Sequence, residues 1–146
     1  VERVGFYLTG AQPVERVLPL IARAAKKQDQ RMLVVAGDED LLGRLDKALW
    51  EQCPEDFLAH GRADAPHAER QPVLLSQECS AANGAALVAL ADGRWRDEAE
   101  QFARALLFFD ESGRDSARTV WRRFDERTEV TREFYELDAG KWVKRA

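Results

Sequence analysis

The run Arg31-Met32-Leu33-Val34-Val35-Ala36-Gly37-Asp38-Glu39-Asp40, continuing to Arg44-Leu45-Asp46-Lys47-Ala48-Leu49-Trp50, is the stretch whose reading decides the fold. Residues 32–36 form a short unbroken apolar run, the pattern of a strand buried on both faces. Gly37-Asp38 ends it, and the Asp38 carboxylate is placed to accept from the free N–H groups of a following helix. Leu41, Leu42, Leu45, Ala48 and Leu49 then recur at helical spacing, with Arg44 and Lys47 toward water, so the helix runs to about Trp50. A buried strand feeding an amphipathic helix points to an α/β sheet covered by helices.

The flanking sequence extends the same alternation. Arg3 to Leu8 reads as a strand closed by Thr9-Gly10, and Pro13 suits the first turn of a helix striped by Val14, Val17, Leu18, Ile21 and Ala25. Pro19 lies inside that stripe and predicts a kink or a redefined start. Cys53-Pro54 breaks the second helix, and residues 61–71, rich in Gly, Asp, Pro, Ala and His, read as a surface loop within the domain. Strands are expected at 72–77, 85–90 and 105–109, with Asn83-Gly84 as a turn and a short helix at 97–102. Ser116 is placed to cap a last helix whose packed face is Ala117, Val120, Trp121, Phe124 and Thr128. Residues 131–137 alternate as a final strand, with Trp142 on a short tail. The whole, residues 1–146, reads as one α/β domain with a single open sheet.

A chain of 146 residues with 45% apolar and 33% charged side chains has the size and composition of one folded domain. Its net charge of -4 gives no general attraction for nucleic acid. The charge is uneven: residues 1–111 carry 13 basic and 19 acidic side chains, whereas 112–146 carry nine basic and seven acidic. An anionic partner is therefore expected at the C-terminal quarter. Cys53 and Cys79 make neither a disulfide framework nor a metal pattern, which fits a reducing cytoplasm. No apolar run is long enough to cross a membrane, and no charged-then-apolar leader precedes the first strand, so no membrane contact is expected.

Catalytic chemistry is poorly supported. After the first strand, Thr9-Gly10-Ala11-Gln12 has neither the glycine spacing of a dinucleotide fold nor the Gly-Lys-Ser/Thr ending of a phosphate loop. His60 and His67, with Asp64 and Glu69, lack a ligand spacing for a metal. Asp38-Glu39-Asp40 is explained by the helix start, where acidic groups meet free N–H donors. Cys79, beside Ser76 and Ser80, has no base assigned to it and reads as an inert buried thiol. Neither cofactor nor metal is expected.

Three stretches together resemble the chi subunit of bacterial DNA polymerase III: Gly5-Phe6-Tyr7-Leu8; the run from Arg31 to Trp50 quoted above; and Pro54-Glu55-Asp56-Phe57-Leu58-Ala59-His60 followed by Pro72-Val73-Leu74-Leu75. The resemblance covers roughly residues 3–109 and is looser beyond. It implies a nucleotide-binding-like α/β fold without the corresponding phosphate loop or activity. It also implies a noncatalytic replisome adaptor that pairs with psi, which links it to the clamp-loader complex, and that binds the acidic C-terminal tail of the single-stranded DNA-binding protein. Contact with DNA would be indirect. The alternative is a nucleotide-binding-type α/β enzyme with a noncanonical site.

On the psi side the resemblance falls on Trp50 and Phe57. Trp50 follows Leu49 at the end of the core stripe and Phe57 follows a turn, so the two rings either protrude together as an interface centre or close the local core. On the tail side it falls on Arg118 and Arg122, an i,i+4 pair, with Arg123 and Arg127 as a second pair on the other flank of the apolar face. A later basic position of the family falls on Glu126 or, with a shift, on Arg127. The pocket aromatic falls on Phe134 or Tyr135. An ordinary salt-bridged helix surface, with Arg122 paired to Asp125 or Glu126, is the competing account.

Overall fold

The computed structural model describes residues 1–52 and 54–146, without the side chain of Asp56; Cys53, expected at the helix break, lies outside the described residues. Among the described residues, eleven strands and α-helices follow one another: β1 (Arg3–Leu8), α1 (Val14–Lys27), β2 (Met32–Val35), α2 (Glu39–Glu51), β3 (His60–Arg62), β4 (Val73–Ser76), β5 (Leu87–Leu90), β6 (Arg104–Phe109), α3 (Arg114–Arg123), β7 (Thr131–Asp138) and β8 (Lys141–Lys144). They build one open eight-stranded sheet in the order β3-β4-β2-β5-β6-β1-β7-β8. Every neighbouring pair is parallel except β7–β8, which closes as an antiparallel hairpin at one edge.

The unbroken apolar runs occupy the centre because both their faces are covered. One face packs Val34, Leu75, Ala89, Leu106 and Tyr7 under α1 and α2. The other packs Phe6, Leu8, Leu33, Val88 and Leu107 under α3, with Ala99 from a 3-10 turn at Asp97–Gln101 and Phe102 just after it. Asp38 caps α2 by accepting from the Asp40 N–H at 3.0 Å.

Pro19 does not redefine the start of α1, which begins at Val14 and runs through Pro19 with its ring buried. Proline removes the N–H that would bond to the Glu15 carbonyl. That carbonyl instead accepts from the side-chain amide of Gln52, just past the end of α2, at 3.5 Å. The expected loop at 61–71 begins as a strand: β3 pairs with β4, His60 opposite Val73. The last helix ends at Arg123 rather than reaching Thr128, which is exposed. Arg132 of β7 donates to the Trp121 carbonyl at 2.6 Å and so satisfies an acceptor at the helix end. Gly113, rather than Ser116, precedes α3, after a turn in which Asp110 accepts from the Gly113 N–H. Trp142 lies in β8 instead of on a tail.

Candidate functional site

Among the described residues, Trp50 and Phe57 are, with Leu20, the large apolar side chains that the fold leaves exposed: Trp50 is 52% and Phe57 65% accessible. The core stripe of α2 is completed by Leu45, Ala48 and Leu49, all buried, which turns Trp50 outward. Pro54–Asp56 forms one 3-10 turn that brings the chain back. Phe57 follows it at φ 41°, a left-handed backbone that costs a non-glycine residue about 1 kcal/mol or more. The Lys26 ammonium of α1 donates to the Phe57 carbonyl at 3.2 Å and helps to hold that turn. The two rings meet edge to face with centroids 6.0 Å apart.

Beneath them lies His60, whose side chain is wholly buried. Its ring packs on Trp50 with centroids 4.6 Å apart. Nδ1 lies 2.7 Å from the Leu58 carbonyl and Nε2 lies 2.7 Å from the Asp46 carboxylate. His60 gave no strand pattern in the sequence, since His-Gly-Arg has no apolar alternation.

The basic residues of the last quarter divide into two groups. Arg118 lines an apolar pocket of about 280 Å³ with Phe6, Ala117, Trp121, Phe134 and Ala146. Its tie to Asp115 is a long 3.5 Å contact between exposed groups. Arg122 is exposed and, among the described residues, has no carboxylate partner; Asp125, expected to compete for it, is held at 2.7 Å by Arg132 instead. Arg123 and Arg127 do not form a helical pair, because α3 has ended before Arg127. Arg123 bonds Asp97 at 2.6 Å. Arg127 is shared between Glu100 and Glu129, which together hold its guanidinium more firmly charged, and its planar end lies over Phe124. Both cations are thus committed to the 3-10 turn and its neighbours. Glu126 is exposed.

Phe134 and Tyr135 are separated by the alternation of β7. Phe134 pairs in register with Phe6 and shares its face with α3. Tyr135 pairs with Tyr7 on the opposite face, stacked at 5.0 Å, and donates to Glu133 at 2.9 Å. The sheet stands between Tyr135 and the Arg118 pocket, so the two do not share one cavity.

Trp121 does pack, half-buried, against the α3-side core as its helical spacing predicted, and it also forms a wall of the Arg118 pocket, a role the sequence reading did not assign to it. Phe6 packs edge to face on it at 5.0 Å, and the Arg132 guanidinium lies 4.7 Å from its ring centroid. An aromatic flanked by Arg118 and Arg122 on one helix was the available hint.

At the carboxyl ends of β1, β5 and β6 a crevice of about 450 Å³ opens, where an α/β sheet commonly takes a ligand. Its acidic groups are already engaged: Glu15 with Arg44 at 2.9 Å, and Asp110 with the Ser112 hydroxyl at 2.5 Å and the Gly113 N–H. Burial pushes the Asp92 carboxyl up, but Arg96 and the N–H groups of Gly37 and Arg94 outweigh it and hold it below the ordinary value. Burial, with Glu98, pushes the Cys79 thiol up despite Arg96, away from nucleophile character. Among the described residues no three His, Cys, Asp or Glu side chains are grouped to hold a metal, and no helix is long and apolar enough to cross a membrane.

The family model described as DNA polymerase III chi subunit, HolC, matches residues 1–131 of the chain. No curated protein gives a significant match.

Proposed function

The chain belongs to the DNA polymerase III chi subunit family, and we propose on that premise that it is a noncatalytic adaptor in the bacterial replisome. Trp50 and Phe57 dock on psi and so join the chain to the clamp-loader complex. Arg118 and Arg122, beside the pocket of Trp121 and Phe134, capture the acidic C-terminal tail of the single-stranded DNA-binding protein. The protein works in the cytoplasm and reaches DNA only through these partners.

The observation that carries this reading is the separation of the two surfaces. The aromatic pair sits on the α1/α2 face, at the end of α2, which packs against β3 and β4. The Arg118 pocket sits on the α3 face over β1 and β7, toward the other end of the sheet order. Two partners on surfaces so divided are bound at once, and each weak contact raises the local concentration for the other. A pocket with an apolar floor and a guanidinium at its rim suits a terminal aromatic residue with a free carboxylate.

The test is calorimetry with a short acidic peptide ending in Pro-Phe, added to the free chain and to the chain already bound to psi. The peptide binds both with the same affinity, and amidating its terminus weakens it. Competition between psi and peptide, or equal binding of the free and amidated peptide at moderate salt, removes the bridge mechanism.

A further inference from the structure

We infer that His60, anchored by Asp46, is a positioning residue for the docking pair, setting the orientation in which Trp50 and Phe57 meet psi. This rests on the reading of that patch as the psi surface.

Three links meet at one buried ring. Asp46 and Trp50 are four residues apart on α2 and therefore share a face of that helix. The His60 ring reaches the first through Nε2 at 2.7 Å and packs against the second at 4.6 Å. Through Nδ1 it reaches the Leu58 carbonyl, one residue beyond Phe57. The imidazole thereby ties the helix face carrying one aromatic to the loop carrying the other. β3 needs only its backbone to pair with β4, so the ring's contacts serve α2 and the loop rather than the sheet.

The consequence is preorganisation. A large exposed ring that is free to change rotamer must be ordered when the partner arrives, and that ordering weakens binding by a few-fold to about tenfold per side chain. Packing Trp50 on an imidazole lodged within hydrogen-bond distance of the Asp46 carboxylate and the Leu58 carbonyl removes part of that cost before psi arrives. Asp46 keeps 39% of its side chain accessible, so removing its carboxylate leaves the core intact.

Asp46→Ala takes away the anchor. Asp46→Asn keeps an oxygen that accepts from Nε2–H while removing the charge. Asp46→Ala weakens psi binding about five- to tenfold in calorimetry and shifts the Trp50 indole N–H resonance of the free chain; Asp46→Asn restores both to within about twofold of the parent. Equal weakening by both variants, with the indole resonance unmoved, makes Asp46 a direct charge contact and overturns the inference. Unchanged psi affinity in Asp46→Ala overturns it too. Trp50→Ala is run beside them: if it leaves psi binding unchanged, the docking reading itself has failed, an outcome distinct from failure of the anchor alone.

Discussion

Truncating Trp50 to Ala separates an interface ring from a core ring by magnitude. A tryptophan offers on the order of 200 Å², and with 52% of it accessible roughly 100 Å² remains for a partner to cover. At about 25 cal/mol per Å² that is ~2.5 kcal/mol of transfer free energy, and a central tryptophan in an interface costs about 2–4 kcal/mol on truncation. The dissociation constant for psi should therefore rise about 30- to 1,000-fold. The same substitution also removes the packed half of the ring from Phe57 and His60. Compact unfolded chains already bury part of such surface, so the folding cost should be about 1–2 kcal/mol, a fall in Tm of roughly 2–8 °C in a chain of this size.

The assay is a calorimetric titration of psi against parent and variant at a temperature well below both unfolding transitions, with circular dichroism taken on the same samples. A variant that keeps its folded spectrum and binds within about threefold of the parent would refute the reasoning, since half a tryptophan cannot be buried by a partner without effect. Loss of the folded spectrum at 25 °C would refute it differently, by showing that Trp50 closes the core despite its exposure.

Phe134→Ala weakens the acidic peptide measurably in calorimetry while Tyr135→Phe leaves it unchanged, because the two rings stand on opposite faces of the sheet. Arg118→Ala lowers peptide affinity by about two- to fivefold at low salt and less at high salt, as expected of a cation more than half exposed at a pocket rim; a salt-independent loss in a salt titration counts against the charge contact. Phe124→Ala removes a ring that is 1% accessible and packed on Trp95, costing about 3–5 kcal/mol in thermal or denaturant unfolding. The folded Asp92 carboxyl titrates below its unfolded value of about 4, so its contribution is fully present above that pH and fades as pH falls through the lower folded value. In acid unfolding, Asp92→Asn is less stable than the parent near neutral pH, and the gap closes over that window.

The central strands and two long helices were legible because each is specified locally. An unbroken apolar run announces a strand covered on both faces, and Leu41 to Leu49 announce the packed side of α2 without reference to anything distant. β3 was not legible for the complementary reason. His60, Gly61 and Arg62 carry no strand pattern, and they extend because β4 offers an edge to pair with and Asp46 a partner for the ring. Pro19 did not redefine the start of α1, and the Glu15 carbonyl that it leaves without an N–H partner accepts from outside the helix, from Gln52. The exposure of Trp50 and Phe57 stood between two accounts, since periodicity says where a stripe ends but not whether another element covers the next residue.

The pocket proposed for the acidic tail was harder still, because its walls come from pairings far apart in the chain. Arg118 and Trp121 lie on α3, but Phe6 and Phe134 join them only because β7 returns beside β1, Phe6 opposite Phe134 and Tyr7 opposite Tyr135. Local alternation shows that Phe134 and Tyr135 face opposite ways without showing which way is α3. The register decides it: Tyr135 completes a stack with Tyr7 and Phe108, and Phe134 enters the layer of Phe6 and Phe109. A slip of one residue would exchange them, setting a tyrosine that now bonds Glu133 beside Arg118. The chemistry of the pocket is thus fixed by strand pairing over more than a hundred residues, which no motif within α3 encodes.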